Sequence, residues 1–224
     1  CRRGEPMNHE EMLDATAFLL KKAGFKISKQ CVSRPSCFCM VARKGSELSF
    51  IRMPSDLGKI TLRDALELKT ISSHFSATPL FIGDKSREKQ LEDDTIYTRY
   101  NIYAVTLKTL EDVAARRMLP LVEAGPGGYY VRLDAEAIRN RRIKLGLSVG
   151  ELAEQLRISR RTLYGYERGM AKASVSAAYS LEWILGIPVV KPVDIFKPVP
   201  SDAGFFATAK RLIIKNRFLQ MVLK

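Results

Sequence analysis

Residues 147–169 read LSVGELAEQLRISRRTLYGYERG, and each fixed point in the stretch has a mechanical reason. Ser148 can cap a helix beginning at Val149, with Glu151 at the capping-box position. Leu152, Ala153 and Leu156 turn one face of that helix inward, and Ala153 is small enough to let a second helix approach. Ile158 plugs the turn. Ser159 caps the next helix, whose Leu163 and Tyr166 point at the same core, and Gly169 supplies an easy stop. Arg160, Arg161, Tyr164, Gly165 and Arg168 fall on the opposite face, with 160, 164 and 168 at successive i+4 steps. Two short helices joined by a tight turn thus present a cationic side outward.

Working outward, residues 135–190 read as short helices only: 135–145, 149–156, 160–168 and 175–185, joined by turns too short for βαβ units. Glu167 is placed to pair with Arg142 on the first of these helices, and Trp183 is read as core. Residues 121–134, with Gly125, Pro126, Gly127 and Gly128, are read as a linker; they lack the Lys-Ser/Thr of a phosphate loop. Residues 191–224 are read as a Pro-rich linker and a helix over 203–224 that runs to the last residue without a stop signal, the start of a truncated further domain.

Upstream, over 7–120, the pattern mixes helices with strands. Met12, Ala15, Leu19 and Ala23 at spacings of three and four mark a helix over 10–23. Strands are expected at 25–32, 38–43, 48–53, 78–82 and 102–106, with a hairpin connection at Lys44, Gly45 and Ser46. Thr61 and Asp64 can cap a helix to about Phe75, and 110–118 reads as a short helix. The order implies an α/β domain with helices on a mixed sheet.

Composition narrows the classes. The chain has 224 residues, 46% of them apolar, which is enough for one large core or two modest ones. No apolar run reaches the ~18–20 residues of a membrane span, so no membrane partner is expected. Four cysteines do not form a disulfide framework and suggest a reducing cytoplasm. The formal charge is +13, which lowers the free energy of a nearby polyanion. Residues 135–172 hold nine Lys and Arg against four Asp and Glu, the densest positive stretch.

The 147–169 stretch resembles the helix-turn-helix of lambda-repressor-like (XRE-family) regulators, whose pattern L-S-x-x-x-L-A-x-x-L-x-[VI]-S-x-x-T-[LI]-x-x-[YW]-E-x-G it meets at every specified point. The resemblance covers roughly 135–190. It implies an all-α domain of five helices whose third enters the DNA major groove. It also implies base-reading places at Arg160, Arg161, Tyr164 and Arg168, with Ser148 and Val149 against the phosphate backbone. Tyr164 can touch a thymine methyl or a phosphate, or do nothing; Lys172, just past the helix, is read as a phosphate contact. Two positions depart from the family: Val149 stands where many members carry Gln, and Arg157 where the turn often has Gly.

The first domain resembles the restriction-endonuclease-like fold, and the whole arrangement resembles a family of archaeal helix-turn-helix regulators. Active nucleases of that fold carry an Asp on one strand and Glu-x-Lys on the next, because two carboxylates hold Mg²⁺ and the Lys assists water. Those places fall on Cys39 and on Phe50, Ile51 and Arg52, so a catalytically inactive domain is expected, with no cofactor. Cys31, Cys37 and Cys39 with His74 could form a zinc site, but their spacing is not that of a finger, so buried or idle cysteines are the expectation and no metal is assigned.

The reading is a cytoplasmic, sequence-specific DNA-binding transcriptional regulator, not an enzyme, with double-stranded DNA as partner and a homodimer on a two-fold site. Two alternatives stay open. A nucleic-acid-processing nuclease would need a carboxylate cluster such as Glu92, Asp93 and Asp94, which otherwise reads as a solvated loop; an antitoxin-like interaction module would co-purify with a protein partner.

Overall fold

A computed structural model describes residues 8–28 and 37–197. The helix expected over 203–224, Cys31 and the far half of the strand expected over 25–32 lie outside the described residues. The described residues fall into two compact units, one of residues 8–28, 37–118 and 194–197, the other of Leu119–Val193.

The first unit begins with α1 (His9–Lys22), which starts where Asn8 and Glu11 form a reciprocal capping box and ends on Lys21 and Lys22, favourable at the negative end of the helix dipole. β1 (Lys26–Ile27), β2 (Met40–Lys44) and β3 (Glu47–Arg52) follow. Lys44 faces Glu47 across a two-residue turn in which Gly45 takes φ +59, the conformation such hairpins demand. Thr61 and Asp64 cap α2 (Leu62–His74), as the spacing predicts. Then come β4 (Thr78–Ile82), a small hairpin of β5 (Lys85–Ser86) and β6 (Lys89–Gln90), β7 (Thr95–Arg99), β8 (Ile102–Val105) and α3 (Leu107–Arg116).

The main sheet of this unit runs β1-β2-β3-β4-β8-β7. β3, β4 and β8 are parallel and the remaining pairs antiparallel, so the sheet is mixed. On one face, Phe50, Phe81, Ile102 and Ala104 meet Ala65 and Leu68 of α2. Strand alternation sends Ile51 and Tyr103 to the other face, where Thr16 of α1 reaches Met53. Each such Leu, Ile or Phe contributes roughly 1.5–3 kcal/mol by leaving water. The chain returns at its end: Thr78 Oγ1 donates to the Phe196 carbonyl at 2.7 Å, and the Phe25 and Phe196 rings stand 5.2 Å apart.

The second unit does not begin with a linker. Residues 121–134 form a hairpin of β9 (Val122–Gly125) and β10 (Gly128–Leu133), turning at Pro126 and Gly127, the latter at φ +82. Four helices follow among the described residues: α4 (Ala135–Lys144), α5 (Val149–Gln155), α6 (Arg160–Glu167) and α7 (Val175–Leu185). β11 (Ala173–Ser174) and β12 (Val190–Lys191) both pair with β10, so the hairpin is tied to the helices on either side of α7. The unit closes on itself where Val193 N–H donates to the Pro120 carbonyl at 2.9 Å. Its core joins Val131 and Leu133 of the hairpin to Ile138, Leu152, Leu163, Ala178, Leu181 and Leu185.

Trp183 is a correction: expected in the core, its side chain is 78% exposed, in line with Tyr179 at 68% and Val175 on the outer face of α7. Ala178, Leu181 and Leu185 fill the core instead, because their register turns them inward and leaves 175, 179 and 183 outside.

Candidate nucleic-acid interface

The two helices of the 147–169 stretch form as their caps dictate. Ser148 Oγ accepts from Glu151 N–H at 3.1 Å while Glu151 Oε2 accepts from Ser148 N–H at 2.6 Å, a complete capping box for α5. The Ser148 contacts hold the Glu151 carboxyl below its ordinary range. Ser159 Oγ accepts from Thr162 N–H at 3.0 Å and opens α6. Between them Arg157 takes φ +55, so a non-glycine residue makes the left-handed turn where glycine would be unstrained.

Leu152, Ala153, Leu163 and Tyr166 are buried, which fixes the two helices against each other. A second tie comes from the back of α6: Arg142 of α4 donates from Nε and Nη2 to the two Glu167 carboxylate oxygens at 2.5 and 3.0 Å, and from Nη1 to the Leu147 carbonyl at 2.8 Å. This bidentate pair is almost fully enclosed, so it locks α6 to α4.

With that side committed, Arg160, Arg161, Tyr164 and Arg168 are all exposed on the other. Arg168 stacks its guanidinium 4.7 Å from the centre of the Tyr164 ring, which gives this tyrosine the task of orienting an arginine. Arg160 folds back over α5: a Cβ at Gly150 would stand 3.0 Å from its Nη2. Gly150 is therefore a participant that sequence reading missed, since a helical glycine signals nothing until the side chain above it is known. Ser148 is exposed and Val149 half-buried at the start of α5.

Lys172, expected as a phosphate contact, has an acidic partner within the unit. Its Nζ lies 2.6 Å from Glu123 Oε2, and Glu123 also accepts from Arg132 Nε at 2.5 Å. Burial raises the Glu123 carboxyl, but the bonds from Arg132 and Lys172 outweigh it and hold the group below its ordinary range. Glu123 went unnoticed in the sequence because its strand was read as linker.

In the first unit, the positions that the resemblance assigns to metal-binding carboxylates hold no carboxylate and do not fit a divalent cation. Phe50 and Ile51 are packed into the core, Arg52 pairs with Asp64 at 2.8 Å, and Cys39 Sγ accepts from Met53 N–H at 3.4 Å. Cys37 is buried and His74 exposed, and among the described residues no group of three or more His, Cys, Asp or Glu could hold a metal. Glu92, Asp93 and Asp94 are exposed on the approach to β7, where Asp93 accepts from Thr106 Oγ1 and Asp94 N–H donates to Thr109 Oγ1. No helix among the described residues is long and apolar enough to cross a membrane.

Comparison with known proteins agrees with this anatomy. A PD-(D/E)XK superfamily domain matches residues 9–120 and a helix-turn-helix family matches 138–191. A protein of Pyrococcus horikoshii, named "Putative HTH-type transcriptional regulatory protein", is 34% identical over 95% of this chain and 67% of its own length. The chain belongs to this family of archaeal HTH-type regulatory proteins. Relatives of the same name in Methanococcoides burtonii and Pyrococcus furiosus are 37% and 38% identical, over 82% and 85% of this chain. The chain spans 57% and 60% of the length of these two HTH-type proteins.

Proposed function

We propose that this HTH-type protein is a cytoplasmic, sequence-specific DNA-binding transcriptional regulator that lays α6 in the major groove and acts as a homodimer on a two-fold site. The observation that carries the reading is the outward face of α6, where three arginines and Tyr164 stand exposed on a helix locked from behind by Glu167 and Leu163. An arginine fork donates two hydrogen bonds to guanine, which makes Arg161 and Arg168 the residues for base recognition. Arg160, lying over Gly150, bridges α5 and α6 and meets the backbone edge with Ser148 and Val149. The homodimer is supported by α7, whose exposed stripe of Val175, Tyr179 and Trp183 is uncharged. Its one ionisable side chain apart from Tyr179, Glu182, is turned to the backbone N–H groups of Val189 and Val190. In a chain of net charge +13, two copies meet with least repulsion across such a face.

The domain over 7–120 serves this regulator as a non-catalytic scaffold, since core side chains stand where metal-binding carboxylates would be needed. Selection of bound duplexes from random DNA should return a pseudo-palindrome with a guanine in each half-site. Uniform retention of all sequences would refute the regulator. Incubation of supercoiled DNA with Mg²⁺ or Mn²⁺ should leave it intact, and nicking would overturn the inactive assignment.

A further inference from the structure

Glu123 sits on β9, its side chain 3% exposed, and faces two cations. In the antiparallel register, Tyr130 and Val131 of β10 oppose Ser174 and Ala173 of β11. One step further sets Arg132 opposite Lys172. Like charges placed directly across neighbouring strands repel. Here one carboxylate meets both, with Arg132 on Oε1 and, more distantly, Oε2 and Lys172 on Oε2, and Lys172 keeps about half of its side chain in solvent. The site lies five residues beyond the last residue of α6, immediately after the turn at Gly169, which has φ +65.

We propose that Glu123 is a positioning residue that occupies Lys172 in the manner of a DNA phosphate and thereby withholds one backbone contact at the exit of the recognition helix. The inference rests on the DNA-binding reading and deepens it. One carboxylate against two cations leaves the trio at +1, but a lysine held on that carboxylate is drawn off the phosphate it would otherwise meet, so docking gains less from it in the salt-dependent part of the affinity. Base-reading arginines then carry a larger share of binding.

The test is the slope of log affinity against log salt for one fixed duplex, measured with the full chain by fluorescence anisotropy. Lys172→Ala should flatten the slope by clearly less than the roughly 0.9 of a full phosphate contact. Glu123→Gln, which preserves shape but removes the charge and one acceptor, should steepen it by about 0.9 for the release of Lys172, roughly a threefold affinity change between 50 and 200 mM salt. Combining the two substitutions should remove the part of the steepening that Lys172 supplies. A slope flattened by about 0.9 in Lys172→Ala alone, or unchanged in folded Glu123→Gln, overturns the inference while leaving the regulator reading intact. Failure of the unaltered chain to bind any duplex overturns both. Because Lys172→Ala alters a half-exposed side chain, its result stands even if Glu123→Gln does not fold.

Discussion

Arg161 and Glu167 divide the labour of one short helix. Arg161 points out with no acidic partner among the described residues and Glu167 is enclosed, so the same substitution has opposite consequences at the two positions. Arg161→Ala should keep the fold and relax selectivity at a single base position, at a cost of about 1–3 kcal/mol for the preferred base. A titration against an operator library shows this; equal loss across all sequences would remove Arg161 from base reading. Glu167→Ala leaves the buried Arg142 guanidinium with only the Leu147 carbonyl and no counter-charge, and should destabilise the unit by about 3–5 kcal/mol in denaturant unfolding. A loss below about 1 kcal/mol would mean that water reaches the site and the pair is worth no more than a surface one. The Arg142–Glu167 pairing was legible in the sequence, because both positions lie on predicted helices whose inward faces are fixed by Leu and Ala. The Glu123, Arg132 and Lys172 cluster was not, because it depends on strand register, which no local spacing reveals.

At the scale of elements, α2, α5, α6 and α7 begin where the sequence places them, after Thr61, Ser148, Ser159 and Ser174, whereas the helix expected over 110–118 begins three residues earlier, at Leu107, because Thr106 caps it. Strand β7 escaped notice for a physical reason. It turns into β8 through Tyr100 and Asn101, at φ +50 and +56, so a left-handed turn is made without the glycine that usually announces one. The β9–β10 hairpin was missed for the reverse reason, since its Pro and Gly density reads as a linker unless the pairing of Val122 with Val131 is known. For α7 the sequence holds apolar residues on every side, and periodicity alone cannot tell the face that packs from the face that is left over. That outer face has a measurable consequence. Replacing Tyr179 and Trp183 together by Ser should convert the proposed dimer to monomer in sedimentation velocity while the circular dichroism spectrum is retained. A dimer of unchanged stability would place the contact elsewhere.

For the whole molecule, acid offers a separate handle on the second unit. The folded state holds Glu123 below its ordinary range near 4.3, so the group binds fewer protons folded than unfolded between those two values. Its stabilising contribution is complete above the ordinary range and is lost as pH falls through the folded value. Thermal unfolding between pH 6 and pH 3 should therefore show a steeper loss for the unaltered chain than for Glu123→Gln. Parallel curves would mean that the carboxylate titrates normally and is held weakly.

The closure of residues 119–193 at Pro120 and Val193 has a broader consequence. A segment that leaves and re-enters its host through adjacent points behaves as a cassette, removable without stretching what remains. Exchange of residues 119–193 between relatives would therefore transplant the second unit whole, by crossing over at two neighbouring peptide bonds.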